Sequence, residues 1–356
     1  MERPMVLPGL PLLPTTIVGS YPQPDWLIDR EGLKSRLPPR VRAQELWRIK
    51  DPQQLADAQE AATLVAVSDQ KLAGIHIVGD GEMRRESYSN RLATSLAGIE
   101  TDPPGQAMDR TGKMNPVPRV AGPIRRTSPI ESQDAAFLKA RAGCPVKITI
   151  PGPFTMTQQA QNDHYPDMAA LALDYADAVN AEARDLFAAG VDIVQLDEPY
   201  LQAKADEARS FAIEAINRAV KGVGGVTALH ICFGYAHVHQ GASKPGGYAF
   251  LEELEDSHID IISIEAAQPR LDPSILRELP TKHIMYGVID LNDPDVETPE
   301  VVADRIRQAL PYIDAERLLI APDCGMKYIS RETAFGKLKA MADGAAIVRR
   351  ELTGSD

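Results

Sequence analysis

Aromatic residues make up only 5% of this 356-residue sequence, and it holds three cysteines. So few cysteines, in an odd number, exclude a disulfide scaffold and point to a reducing compartment. No run of about 18 apolar residues occurs, so no membrane span is expected. Positive charge is in deficit: 38 Lys and Arg stand against 50 Asp and Glu, a formal net charge of −12. Such a surface repels phosphate backbones, and no nucleic-acid partner is expected. Gly-rich nucleotide loops are missing as well, since no G-x-G-x-x-G or Walker sequence opens a helix. The N-terminus, broken by Pro4, Pro8, Pro11 and Pro14, does not read as a signal peptide, and a cytoplasmic protein is expected. Apolar residues reach 44%. That suffices for a sizeable core and excludes disorder over most of the chain.

A short apolar, β-branched run followed by a longer Ala/Leu-rich stretch recurs along the chain. The runs are Thr15–Gly19, Ile75–Gly79, Val146–Ile150, Asp192–Leu196, Thr227–Phe233, Ile259–Glu265, His283–Ile289 and Arg317–Pro322. Helical spacing marks Gln53–Leu72, Met168–Ala189, Lys204–Val220, Val301–Leu310 and Thr333–Val348. Near-continuous apolar strands alternating with helices predict parallel strands covered by helices. Eight such units predict a single-domain (β/α)8 TIM barrel over residues 1–356, with an open doubly wound sheet as the alternative. A polar, Pro-rich stretch from about 90 to 142 predicts an extended or hairpin insertion after the second strand, a candidate lid or dimer contact of a homo-oligomer.

Reactive polar residues fall at the predicted C-terminal ends of these strands, where such folds place their chemistry. They include Ser20, Asp80, Glu82, Asp197, Glu198, His230, Cys232, Glu265, Asp290, Asp323 and Cys324. His230 and Cys232, two apart on one strand, share a face. With Glu265 and Cys324 at other strand ends they offer nitrogen, sulfur and oxygen donors of the kind zinc takes. The alternative for an isolated His-x-Cys is a buried, hydrogen-bonded pair. Cys144 precedes a strand and is assigned to packing.

The stretches Ile17-Val-Gly-Ser-Tyr-Pro-Gln23, Gly81-Glu82, Gly152-Pro-Phe-Thr155, Val194-Gln-Leu-Asp-Glu-Pro199, Leu229-His-Ile-Cys232, Ile264-Glu265 and Pro322-Asp-Cys-Gly-Met-Lys327 span nearly the whole chain. In these the sequence resembles the catalytic domain of cobalamin-independent methionine synthases. The resemblance implies a barrel with a catalytic zinc that binds and activates a thiol. It makes His230, Cys232, Glu265 and Cys324 the zinc ligands. It places Glu82 and Asp197 on the ammonium group of homocysteine, and Ser20 with nearby backbone N–H groups on its carboxylate.

Two positions depart from the family pattern. Gln159 stands where a tryptophan stacks on the folate. Asn292 stands where a histidine is thought to assist proton transfer to the donor, a task Asn cannot perform near neutral pH. Three readings follow. In the first, homocysteine is methylated by a donor other than polyglutamyl folate, such as a methyl-corrinoid. In the second, coenzyme M or another small thiol adds to an epoxide, with Arg84, Arg85 or Arg91 holding a sulfonate. In the third, the chain is a non-catalytic zinc-binding protein. The carboxylates at Glu82 and Asp197 favour an amino-acid thiol, and so the first reading.

Overall fold

The computed structural model describes residues 6–36, 38–110, 112–234 and 245–354. In chain order the elements are α1 (Arg30–Lys34), α2 (Pro52–Leu72), β1 (Val78–Gly79), α3 (Asn90–Thr94), β2 (Ala97–Met108) and β3 (Met114–Arg125). There follow α4 (Ser132–Ala142), β4 (Val146–Pro151), α5 (Pro153–Gln158), β5 (Gln161–Asn162), α6 (Met168–Ala188), β6 (Ile193–Asp197), α7 (Pro199–Ala203) and α8 (Ala205–Ala219). The chain closes with β7 (Val226–Ile231), β8 (Ile261–Ile264), β9 (His283–Gly287), α9 (Pro299–Ala309), β10 (Leu318–Ala321) and α10 (Arg331–Thr353). Four of the helices begin on caps their sequences provide. Asp51, Asp167, Thr298 and Ser330 each accept a first-turn backbone N–H of α2, α6, α9 and α10.

Seven parallel strands form the main sheet, in the order β1-β4-β6-β7-β8-β9-β10. The expected closed eight-stranded barrel is therefore corrected to a curled, open parallel sheet whose edges stand 11 Å apart. The run Thr15–Gly19 supplies no strand. It makes one bridge to each edge, Thr15 to Ile320 and Thr16 to Ile77. The cause lies in competing hydrogen bonds. Pro14 has no N–H to give a ladder, and the Val18 carbonyl accepts from the side chains of Lys147 and Thr149. Strand β1 shrinks to two residues for a similar reason: Gln70 of α2 bonds both the N–H and the carbonyl of Gly79, at 2.9 and 3.0 Å.

Residues two apart on each strand face the inside of the curl, and the columns grade from apolar to polar. At the lower end Val18, Ile77, Ile193, Ala228, Ile261, Met285, Leu319 and Ala321 form a core of their own, against which Val6, Leu7 and Leu10 pack. Higher up the same columns continue as Gln195 and Asp197, His230 and Cys232, and Ser263 and Glu265. The outer faces join the helices in the larger core. Strands β2 and β3 pair as a long antiparallel hairpin, to which β5 adds a third strand. Its root is fixed by the Arg126 guanidinium on the buried carboxylate of Glu182, which also accepts the backbone N–H groups of Ile130 and Glu131.

The segment between the sheet edges carries a pH-sensitive contact. His76 Nδ1 accepts the Thr15 N–H at 3.2 Å and lies 2.8 Å from Thr15 Oγ1. Burial, reinforced by Arg349, holds this imidazole down to about 4. Unfolded, it titrates near 6.5. Between these values the unfolded chain binds a proton that the folded chain refuses, so His76 contributes a loss of stability as pH falls from about 6.5 to about 4. The urea midpoint of His76→Asn should therefore drop less over that interval than that of the parent protein. Equal drops would show that the ring accepts a proton in place.

Candidate active site and metal centre

The C-terminal rim of the sheet gathers His230, Cys232, Glu265 and Cys324. One donor atom from each lies within 4.8 Å of all the others, and all four residues are buried. His230 and Cys232 come from one column of β7 and its extension, Glu265 from the end of β8, and Cys324 from the loop after β10. His230 Nδ1 is 2.9 Å from Ser263 Oγ, while its Nε2 is buried without a partner. A ring held through one nitrogen, with the other aimed among two thiols and a carboxylate, is arranged as a metal ligand. The neighbouring Cys324 thiol and His230 ring hold the Cys232 thiol well below the usual thiol range, against the effect of burial. One nitrogen, two sulfurs and one carboxylate oxygen match the donor set of zinc.

The ligands rest on a second layer of fixed groups. Asp323, fully buried, accepts the backbone N–H groups of Ala266, Ala267 and Gln268 at 3.0, 3.0 and 2.7 Å. One carboxylate thus ties the loop after Glu265 to the residue preceding Cys324. Gly287 makes room for it, since a Cβ there would lie 2.3 Å from Asp323 Oδ1. Tyr248 accepts the Glu265 N–H at 2.8 Å and donates to the Ile231 carbonyl at 3.2 Å.

Beside the cluster is a cavity lined by Ser20, Glu82, Tyr88, Arg110, Asp197, His230, Cys232 and Cys324 among others. Asp197 Oδ1 accepts from Gln195 Nε2 at 2.8 Å. Burial raises its carboxyl well above the ordinary range; His230 opposes that rise, and Glu82 adds to it. Glu82 sits at φ 58°, a left-handed backbone that a side chain adopts at a cost of roughly 1–2 kcal/mol. Its carboxylate pairs with Lys327 Nζ at 3.1 Å. The Ser20 hydroxyl is buried without a partner.

Other predicted residues lie elsewhere. Gln159 is buried, with its amide donating to Tyr88 at 2.6 Å and accepting from Ser89 at 2.9 Å. Asn292 is exposed, its N–H on Asp290 at 2.8 Å. Arg85 pairs with Asp80, Arg84 with Glu60 and Asp134, and Arg91 with Glu131 and Asp134. All three arginines are thus committed to ion pairs. Sequence reasoning missed Arg110, Tyr88 and Lys147. Arg110 lies at a hairpin tip whose sequence neighbours give no sign of where the fold takes it.

The sequence matches the family described as "Cobalamin-independent synthase, Catalytic domain" over residues 13–347. The chain belongs to this family. It is 33% identical over 345 residues to a methionine synthase of Sulfurisphaera tokodaii, covering 96% of this chain and 94% of that one. Against the methionine synthase of Thermococcus kodakarensis it is 33% identical, covering 96% and 95%. Its fold is similar to a B12-independent methionine synthase from Shewanella sp. W3-18-1, solved in complex with selenomethionine, with a TM-score of 0.86, 34% identity and coverage of 97% and 100%. The donor cluster and the family together make this chain a zinc-dependent methyltransferase acting on a thiol. No helix among the described residues is long and apolar enough to cross a membrane.

Removing the brace under the ligands should weaken zinc. Substitutions in such outer groups typically cost about 10–100-fold in metal affinity, and Asp323→Ala should fall in that range in a chelator-competition titration. Cys324→Ser, which removes a donor, should lose more. Unchanged affinity in both variants would overturn the assignment of the cluster as the zinc site.

Proposed function

We propose that this chain methylates homocysteine to methionine, with His230, Cys232, Glu265 and Cys324 holding the zinc. The observation that carries the reading is a four-donor cluster opening into a cavity that also presents buried carboxylates and an unpartnered hydroxyl. Zinc, when bound, lowers the pKa of a coordinated thiol so that the nucleophilic thiolate prevails at neutral pH. The chain's own residues then orient the amino acid. Asp197 and Glu82 face its ammonium group, which needs anionic partners once desolvated. Lys327 already neutralises part of Glu82, so Asp197 carries the larger share. Ser20 donates to the carboxylate. The reaction forms one S–CH3 bond and breaks the bond between methyl and donor; the donor keeps that electron pair, and the thiol proton is lost.

The donor in this reading is a pre-activated methyl group, a methyl-corrinoid before a methyl-folate. Gln159 supports this, because both ends of its amide are spent on Tyr88 and Ser89 and it offers no aromatic face. Asn292, exposed and unable to act as an acid near neutral pH, supports it as well. A ring contact is worth about 0.5–1.5 kcal/mol and general acid help about 10²–10⁴ in rate. The epoxide reading has less support, since Arg84, Arg85 and Arg91 are committed to ion pairs and coenzyme M carries no ammonium to meet the carboxylates of Glu82 and Asp197.

Two assays test the reading. Asp197→Asn should cut kcat/KM for homocysteine by an amount corresponding to about 3–5 kcal/mol, the cost of breaking a buried charge pair. It should leave a thiol without an amine nearly unaffected, whereas equal losses would make Asp197 structural. With homocysteine as acceptor, methylcobalamin should outpace 5-methyltetrahydrofolate, and coenzyme M with epoxypropane should give no product. A faster rate with the folate would overturn the assignment of the donor.

A further inference from the structure

The long hairpin ends in a closed turn. Asp109 N–H donates to the Lys113 carbonyl at 2.8 Å. Its carboxylate accepts the Lys113 N–H at 3.0 Å and Asn115 Nδ2 at 2.6 Å. A turn braced in this way presents Arg110 in a fixed direction, and that direction is the cavity beside the metal cluster, which Arg110 lines together with Ser20, Asp197 and Cys232. The guanidinium lies 5.5 Å from the centre of the Tyr200 ring. Gly234, at φ 97°, leaves space for it: a Cβ there would lie 2.8 Å from Arg110 Cζ.

Arg110 as a whole residue is half-buried, but its Nη1 is closed off from solvent and has no hydrogen-bond partner. Among the described residues it makes no ion pair with a carboxylate; its titratable neighbours are Cys232, Tyr88 and Tyr200. A buried guanidinium N–H with nothing to donate to is costly, and it is stabilised most by an anion. The Ser20 hydroxyl, lining the same cavity, is a second buried group without a partner. Gly325 leaves it room, since a Cβ there would lie 2.3 Å from Ser20 Oγ. On the opposite account Glu82 Oε2 is a buried acceptor with no hydrogen bond, its pairing with Lys327 being ionic. Within this cavity the unpartnered donors are therefore those of Arg110 and Ser20, and the anionic acceptor is Glu82, already ion-paired with Lys327.

We propose that Arg110 is the carboxylate clamp of the amino-acid substrate, delivered to the site by the hairpin and acting with Ser20. The inference rests on the reading that the substrate is an α-amino acid bearing a thiol. It assigns the insertion a function: the hairpin completes the substrate site, and specificity for an amino acid over a simple aminothiol is written at its tip. Arg suits the task because its planar fork matches a carboxylate, which a lysine ammonium does not.

Binding of the product and of its decarboxylated analogue separates this role from the others without a methyl donor. Isothermal titration of the zinc-loaded protein with methionine and with 3-(methylthio)propylamine should show methionine preferred. Arg110→Met should weaken methionine on the order of 100-fold, the scale of a charged hydrogen bond lost. It should leave the amine unchanged, so that the preference collapses. Arg110→Lys should recover part of it, and Ser20→Ala should lose part of it with the hairpin intact. Zinc content and thermal melting of each variant report whether the site is otherwise preserved. A preference for methionine that persists in Arg110→Met overturns the clamp and leaves the proposed function standing. Equal weakening of both ligands would place Arg110 in support of Cys232 and overturn the clamp as well. A parent protein that binds neither ligand would overturn the proposed function, and the clamp with it.

Discussion

The ammonium of Lys147, buried inside the curl of the sheet, is the constraint from which much of the architecture follows. It donates to the Val18 carbonyl and, at 2.5 Å, to Gln195 Oε1, and Gln195 in turn donates to Asp197. Taking a charge out of water costs several kcal/mol unless it is paired and hydrogen-bonded. Burial pushes the Lys147 ammonium toward neutrality, and the nearby Asp197, Asp80 and Glu82 carboxylates push the other way. The interior of this sheet therefore cannot be all apolar. The lysine needs the carboxylates above it, and those carboxylates line the substrate cavity. The same bond claims the Val18 carbonyl, which is one reason the first apolar run never becomes a strand.

Much of this was legible in the sequence, because period and residue type act locally. The runs at Val146–Ile150 and Asp192–Leu196 each fall within one residue of a strand of the sheet, and those at Ile259–Glu265 and His283–Ile289 each contain one. The five helical stretches fall within one to five residues of α2, α6, α8, α9 and α10. The spacing of His230 and Cys232 already placed them on one face. What could not be read was the outcome of side chains competing with backbone. Nothing in Thr15–Gly19 announces that Lys147 and Thr149 will occupy its carbonyl, and nothing in Ile75–Gly79 announces that Gln70 will satisfy Gly79. The eighth strand was lost to those long-range bonds, although its β-branched sequence favours one.

The site divides along the same line. Groups at strand ends could be found because position on a strand is a local property. Arg110 could not, because its place is set by the length of two twelve-residue strands and by the closed turn at Asp109. The arginines that sequence reasoning did single out, Arg84, Arg85 and Arg91, sit near the site in sequence and are spent on ion pairs. A cation close to a motif along the chain has neighbours of opposite charge to neutralise it, whereas one brought from a distant tip arrives with its hydrogen-bonding capacity in part unused.

Unused capacity is the most informative property of this centre. Buried polar groups in folded chains are nearly always satisfied, yet Ser20 Oγ, Glu82 Oε2, Arg110 Nη1 and His230 Nε2 all lack a hydrogen-bond partner, and their residues line one cavity. Around them the backbone is held in costly or crowded arrangements: Glu82 at φ 58°, and glycines at 234 and 325 where a Cβ would collide with Arg110 and Ser20. A fold that meets such costs without internal return is shaped to something it binds. The vacancies have distinct chemistries: a lone pair on an imidazole, an anionic acceptor, and two donors. A metal ion answers the first, an ammonium the second and a carboxylate the third. A molecule that carries the last two on one carbon, with sulfur within reach of the metal, satisfies all of them at once.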